Sequence, residues 1–99
     1  MIYDIAIIGA GPAGLSAALY AARFSRSTLV LHDGAARAAR IPLTHNVPGF
    51  DDGVAGLDLL ERMTRHAEKF GTVLAQARVA TVTQADGLFT LAGADGAVW

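Results

Sequence analysis

Three glycines near the start of the chain stand at a spacing that favours phosphate binding. The segment Gly9-Ala10-Gly11-Pro12-Ala13-Gly14 reads G-x-G-x-x-G, follows an apolar run at residues 2–8, and precedes a stretch of good helix formers. A glycine turn of this kind lets an anionic pyrophosphate approach the backbone, because the helix N-terminus offers free N–H groups and a partial positive charge. An ordinary strand-to-helix turn is the alternative, and the matching context on both sides favours dinucleotide binding.

The positions of the motif are expected to contribute in different ways. Gly9 permits the tight turn off the strand, Gly11 lets the pyrophosphate come close, and Gly14 lets the helix pack against the sheet. Pro12 stands near the helix start, where its missing N–H removes no hydrogen bond. We predict that all six residues of the motif contact the dinucleotide.

A second chemical feature follows Thr28-Leu29-Val30-Leu31, which predicts the second strand of a right-handed βαβ unit. Asp33 lies about 20 residues beyond the glycines, where an acidic side chain usually accepts hydrogen bonds from a ribose hydroxyl. Asp33 also precedes Gly34, a pairing common in plain turns. His32, directly before it, is either a cofactor contact or a solvated residue at the strand end, so both side chains remain candidates for the ribose.

Residues 34–56 show neither helical nor strand periodicity, and a loop of this length is normally functional. Arg37 and Arg40 could donate charged hydrogen bonds to phosphate oxygens, or they could be solvated surface side chains. His45 has no partner in the sequence that would make it a catalytic base. We therefore predict no catalytic side chain in these residues.

The remaining pattern predicts the elements that hold these residues in place. Apolar residues at helical spacing, Met63 and Phe70 among them, predict a helix with a buried stripe that ends before Gly71. The predicted elements are strands at 2–8, 28–31 and 73–79, helices at 13–24 and 57–70, and an antiparallel β extension at 81–99. The three strands are expected to be parallel, and the first to be buried. Because the sequence stops within an apolar strand at Val98-Trp99, we expect a truncated polypeptide whose last strand and aromatic ring lack their partners.

Composition excludes several classes of function. The formal net charge of −1 gives no electrostatic argument for binding nucleic acid or an anionic membrane. The absence of cysteine excludes a disulfide framework, a thiolate metal site and a cysteine nucleophile, and no metal site is predicted. No signal peptide and no apolar run of membrane-spanning length is present, so we expect a cytoplasmic protein.

Three blocks of sequence, taken in order and at their spacing, resemble the N-terminus of thioredoxin reductase-like flavoproteins, and the resemblance runs along the whole chain. The blocks are residues 3–15 with Ala21-Ala22-Arg23, then Asn46-Val47-Pro48-Gly49-Phe50 with Gly53-Val54-Ala55-Gly56, then Leu60-Glu61-Arg62-Met63 with Phe70-Gly71-Thr72. Any one block alone would not be specific.

This resemblance implies a Rossmann-type three-layer α/β unit that binds FAD, with NAD(P)H as the electron donor of the intact protein. Residues 1–99 would be the N-terminal part of the FAD-binding domain, and electrons would pass through the flavin to an unidentified acceptor. By resemblance Asn46 lies near the flavin, and the backbone of Val79 lies near the adenine. The family also allows a homodimer.

The chain departs from the family pattern at three places. The family usually has Gly-Gly-Gln-Leu where this chain has Ala35-Ala36-Arg37-Ala38, so Arg37 or Arg40 is expected to replace backbone contacts with side-chain ones. The usual ribose-binding glutamate aligns with His32, one residue before Asp33. Ala55 replaces the usual serine or threonine cap, which should weaken the following helix by about 1 kcal/mol.

Two other readings compete with the reductase. One is a flavin oxidase or monooxygenase that shares the first motif, a different reaction on the same scaffold. The other is a non-catalytic nucleotide-binding fragment. In either oxidoreductase the cofactor supplies the redox chemistry, and the chain contributes binding and orientation.

Overall fold

The computed structural model describes all 99 residues and places a parallel sheet between two helices and a β-hairpin. The elements in chain order are β1 (Ile5–Ile8), α1 (Pro12–Arg23), β2 (Thr28–His32), the short 3₁₀ helix η1 (Arg37–Arg40), α2 (Gly56–Lys69), β3 (Val73–Gln76), β4 (Val79–Ala85) and β5 (Leu88–Gly93).

The sheet of β1, β2 and β3 is parallel throughout, with β2 in the centre. Ile5 of β1 pairs with Thr28 of β2, and Leu29 of β2 pairs with Val73 of β3. A helix lies between successive strands, as parallel neighbours require, because a tight hairpin cannot return the chain in the same direction. The predicted α/β fold and its three parallel strands are confirmed.

Two predicted strand boundaries are wrong. The first strand begins at Ile5 rather than at residue 2, and the third ends at Gln76 rather than at residue 79. Val79 instead opens β4, which pairs with β5 as an antiparallel hairpin around the turn at Asp86-Gly87. Strand-forming residues stand on both sides of this break, Val73 and Leu74 before it and Val79 after it, so the sequence concealed the change from one sheet to the other.

The two faces of β2 divide the core into two clusters, because successive side chains of a strand point to opposite faces. Val30 packs with Ala18 of α1 and Ala67 of α2, and all three are fully buried. On the other face Leu29 and Leu31 pack with Leu91 of the hairpin. The alanines on both helices keep side-chain volume small, so the helices pack close to the sheet.

The prediction of a buried first strand is wrong. β1 pairs only with β2, and Ile5 and Ile8 are exposed, Ile8 to 57%. An apolar run specifies a strand that can be buried, but burial depends on which elements cover it. In this chain the buried strand is β2, with sheet neighbours on both edges and packed layers on both faces.

The end of the chain is better partnered than its sequence suggests. Trp99 exchanges two backbone hydrogen bonds of 2.8 Å with Leu91, and its ring packs against the cluster around Leu29 and Leu31. The expectation that this ring lacks partners is therefore wrong, although Val98 beside it is largely exposed.

Both ends of α2 follow backbone rules that the sequence predicts. Ala55 is the N-cap and makes no side-chain hydrogen bond, while Gly71 follows the last turn with a φ of 102°. Phe70 was predicted in the core but is 42% exposed, and the cations of Arg23 and Lys69 lie over its ring. Neither α1 nor α2 combines the length and the apolar character that crossing a membrane would require.

Candidate functional site

A cleft of about 420 Å³ opens where β1 and β2 end, between the glycine turn and the segment that leads into η1. Two stretches line it, residues 8–14 and residues 32–38. The carboxyl ends of parallel strands meet at one edge of the sheet, so two sequence-distant turns come together there. The cleft thus brings the glycine motif together with His32 and Asp33.

The glycines of the motif have distinct surroundings. Gly9 has a φ of 110°, and its N–H donates to the Leu31 carbonyl at 2.8 Å, which fixes the turn to β2. A Cβ at Gly14 would overlap the Gly9 carbonyl oxygen, so glycine is required there for α1 to approach the turn. A Cβ at Gly11 would meet no atom within 4 Å, because that position faces open space.

The start of α1 presents unpaired donors to this cleft. The backbone N–H groups of Ala10, Gly11, Ala13 and Gly14 have no acceptor within the chain, and Pro12 at the first helical position has no N–H to satisfy. No acidic residue lies in the first turn of α1, so its partial positive charge is not offset by a neighbouring side chain. This arrangement suits an anion such as a pyrophosphate.

Asp33 takes the turn role that its sequence context allowed. Its Oδ1 accepts a hydrogen bond from the Ala35 N–H at 2.9 Å, and Gly34 between them has a φ of 83°. His32 ends β2 with its side chain half-buried, and its carbonyl accepts the Ala77 N–H at 2.8 Å. Both side chains line the cleft, and their contact with a ribose stays a prediction.

Among the residues lining the cleft, His32, Asp33 and Arg37 are the titratable ones, and Arg37 is the only permanent cation. Arg37 forms no ion pair within the chain, whose one salt bridge joins Arg62 to Asp58 at 3.1 Å. The structure therefore distinguishes Arg37 from Arg40, which ends η1 as an exposed residue outside the lining.

The other predicted site residues lie away from this cleft. Asn46 is exposed, and its Oδ1 accepts a hydrogen bond from the Thr44 hydroxyl at 2.6 Å. Val79 begins the hairpin and is half-buried. Neither residue lines the cleft, and their contacts with the flavin and the adenine, like that of Arg40, stay predictions.

Sequence reasoning missed the contact that holds one wall of the cleft. Gly56, the first residue of α2, packs against η1 so closely that a Cβ there would overlap the Ala38 carbonyl oxygen. A glycine in the first turn of a helix, with no cap before it, is the signal that could have found this contact. No group of three or more histidine, cysteine, aspartate or glutamate side chains stands close enough together to hold a metal ion.

Comparison with known proteins agrees with this geometry. A model of the pyridine nucleotide-disulphide oxidoreductase family matches residues 3–97. The thioredoxin reductase of Peptoclostridium litorale is 42% identical over 98 residues, which are 96% of this chain and 31% of that protein.

Two solved structures superpose on nearly the whole chain. An atypical thioredoxin reductase from Desulfovibrio vulgaris Hildenborough has a TM-score of 0.87 at 42% identity, over 96% of this chain and 32% of its own. A thioredoxin reductase from Gloeobacter violaceus has a TM-score of 0.90 at 32% identity, over 98% of this chain and 31% of its own. The chain thus spans about a third of the length of these relatives. From its sequence, its fold and its glycine turn, this thioredoxin reductase-like chain belongs to the pyridine nucleotide-disulphide oxidoreductase family.

Proposed function

We propose that residues 1–99 are the N-terminal part of an FAD-binding domain and hold the pyrophosphate of FAD at the start of α1. The observation that carries this proposal is the set of four backbone N–H groups without an acceptor, at Ala10, Gly11, Ala13 and Gly14. They lie beside the open space at the missing side chain of Gly11, which gives an anion access to the backbone.

The other lining residues would orient the ligand. Arg37 would add a charged hydrogen bond to the phosphates, and Asp33 or His32 would accept hydrogen bonds from a ribose. Asn46, Arg40 and the backbone of Val79 would contact FAD outside this cleft, toward the flavin for Asn46 and toward the adenine for Val79. No residue of this chain is proposed to be catalytic.

In the whole protein, we propose that electrons pass from NAD(P)H through FAD to an acceptor. Bound FAD supplies the hydride-accepting chemistry, and this chain supplies binding and orientation. The relatives are named thioredoxin reductases, which supports a thioredoxin disulfide as the acceptor over an oxidase or monooxygenase reaction. A homodimer and a cytoplasmic location remain predictions.

The test is a fluorescence titration of FAD into the 99-residue chain and into Gly11→Val. We expect the wild-type chain to bind with a dissociation constant above about 1 μM, because the phosphate site accounts for only part of a long ligand. Gly11→Val should fold normally, since its Cβ meets no neighbour, and should lose FAD binding by occupying the ligand's space.

Ala17→Val is the matched control, because it adds bulk to the exposed side of the same helix. This variant should bind FAD as the wild-type chain does. A folded Gly11→Val chain that retains wild-type affinity for FAD would contradict the proposed site.

A further inference from the structure

At Gly56 the backbone of α2 lies directly against the backbone of η1 and of Ile41, which follows it. Gly56 is buried, and a Cβ there would overlap the Ala38 carbonyl oxygen and stand 2.9 Å from the carbonyl oxygen of Ile41. Any side chain at position 56 would therefore force η1 and α2 apart. Since both of these neighbours are backbone oxygens, no rotation of a neighbouring side chain could relieve the overlap.

A series of hydrogen bonds continues from this contact into the cleft wall. The Gly56 N–H donates to the Ile41 carbonyl at 2.9 Å, and the Ile41 N–H donates to the Ala38 carbonyl at 3.1 Å. The Ala39 N–H then donates to the Ala36 carbonyl at 3.2 Å. The bonds thus lead from the first residue of α2 to Ala36 and Ala38, both of which line the cleft.

η1 has little of its own to hold it in place. It has four residues, none of them buried, and its N-cap, Ala36, makes no side-chain hydrogen bond. A single turn of 3₁₀ helix is too short to be stable alone. The element against which η1 packs is α2, so the position of η1 depends on how closely α2 can approach.

We propose that Gly56 is a positioning residue for the cofactor cleft. By omitting a side chain it lets α2 hold η1 in place, and η1 in turn presents Arg37 to the ligand. This inference rests on the proposed function, because it assigns the wall that Gly56 positions to FAD binding. Gly56 itself lies outside the cleft and acts only through η1.

Helix propensity and the contact with η1 predict different consequences of Gly56→Ala, the first for the stability of α2 and the second for the position of the cleft wall. Alanine is the better helix former, so propensity alone predicts a more stable α2. The contact with η1 predicts a displaced wall instead. The substitution therefore separates a positioning role from a plain role in helix formation.

The experiment compares Gly56→Ala with the wild-type chain by amide hydrogen exchange and by FAD titration. We expect faster exchange at the Ala39 and Ile41 amides, unchanged protection in β2, and an FAD affinity reduced about tenfold. Gly93→Ala is the matched control, because it also adds a methyl group to a glycine, but on the hairpin, where the atom closest to the new Cβ is the Asp95 carboxylate. It should leave exchange in η1 and FAD affinity unchanged.

A second measurement uses the wild-type chain and does not depend on whether the variant folds. Saturating FAD should slow exchange of the Gly56 amide, which lies outside the cleft lining and donates to the Ile41 carbonyl. Unchanged exchange at Gly56 in the FAD-bound chain would overturn the proposal, as would wild-type FAD affinity in a folded Gly56→Ala chain. If the wild-type chain bound no FAD, the proposed function would fail, and the exchange rates of η1 in Gly56→Ala would still test the contact.

Discussion

The two helices of this chain begin in similar ways and serve different purposes. Both lack a side-chain cap, and both carry an early glycine whose Cβ would overlap a backbone carbonyl, Gly9 opposite Gly14 and Ala38 opposite Gly56. α1 leaves its first donors unpaired toward the cleft, whereas α2 donates the Gly56 N–H to the Ile41 carbonyl. Close backbone approach thus brings α1 against the glycine turn in one case and α2 against η1 in the other.

The two helix starts also differ in the charge of their first turns. The first turn of α2 contains Asp58, whose negative charge offsets the partial positive charge of the helix end. The first turn of α1 contains no acidic residue. An anionic ligand would therefore be attracted to the start of α1 more strongly than to the start of α2.

The comparison predicts its largest effect at the start of α1. Gly14→Ala would drive a methyl group into the Gly9 carbonyl and against the Ile7 side chain, which lies 3.4 Å from the new Cβ. We expect a loss of about 1–3 kcal/mol in the free energy of unfolding, measured by urea denaturation, together with loss of FAD binding.

The matched substitution at the start of α2, Gly56→Ala, should cost less stability, because η1 is exposed and can move whereas the turn at Gly9 is bonded to β2. If Gly56→Ala lowered the urea midpoint more than Gly14→Ala, this difference between the two helix starts would be wrong.

A smaller effect is expected at the wall that α2 supports. Arg37→Gln should weaken FAD binding about tenfold and reduce its dependence on salt, because the only permanent cation of the cleft is removed. Arg40→Gln is the control at the other end of η1, outside the lining, and should have a smaller effect. Equal losses in the two variants, measured by titration at two salt concentrations, would show that the cleft does not distinguish the two arginines.

The next smaller effect is expected at the N-cap of α2, which makes no side-chain hydrogen bond. Ala55 has the extended backbone of an N-cap, φ −63° and ψ 136°. The hydroxyl oxygen of a threonine at this position could therefore accept a hydrogen bond from an N–H group of the first turn. Ala55→Thr should raise the free energy of unfolding by about 1 kcal/mol, measured by urea denaturation. Ala55→Val has nearly the same shape without the hydroxyl and should show no such gain, so an equal gain in both variants would exclude capping.

The smallest effect is expected at the opposite end of the sheet. The Asp4 N–H donates to the Ser27 hydroxyl at 2.8 Å, and the Ser27 N–H donates to the Asp4 carboxylate at 3.0 Å. The hydrogen bond from the Ser27 backbone, then that from its side chain and the charge of Arg26, lower the pKa of the Asp4 carboxyl below its ordinary value. The stability that this lowered pKa contributes is present above the ordinary aspartate pKa of about 3.9 and is lost as the pH falls through the folded value.

Asp4→Asn should therefore lower the urea midpoint slightly at pH 7 and make no difference in strong acid. The effect is small because Asp4 is solvent-exposed. FAD affinity should not change, since Asp4 lies away from the cleft. A midpoint difference that persisted unchanged into acid would show that the carboxylate charge is not its cause.

Much of the fold and part of the site could be predicted because local rules decide them. The glycine spacing predicts the turn between β1 and α1, and Gly71 predicts the end of α2, since each depends on a few neighbouring residues. The cleft's two lining stretches follow from parallel strands ending at one edge. Arg37 and Arg40 could not be ranked from sequence, because their difference depends on the direction in which η1 runs past the cleft.

By itself the sequence determined the two long helices, the three parallel strands to within a few residues, the position of the glycine turn and the family that the chain resembles, because periodicity and turn chemistry are local. Only the tertiary structure decided that β2 rather than β1 is buried, that Trp99 packs against the sheet, and that Gly56 supports the cleft wall. Each of these depends on which distant backbone or side chain stands opposite. Some glycines are needed only for the backbone conformation of a turn, whereas Gly56 is needed because the Ala38 carbonyl lies where its side chain would be. The sequence shows a glycine in both cases, and only the folded chain distinguishes the two roles.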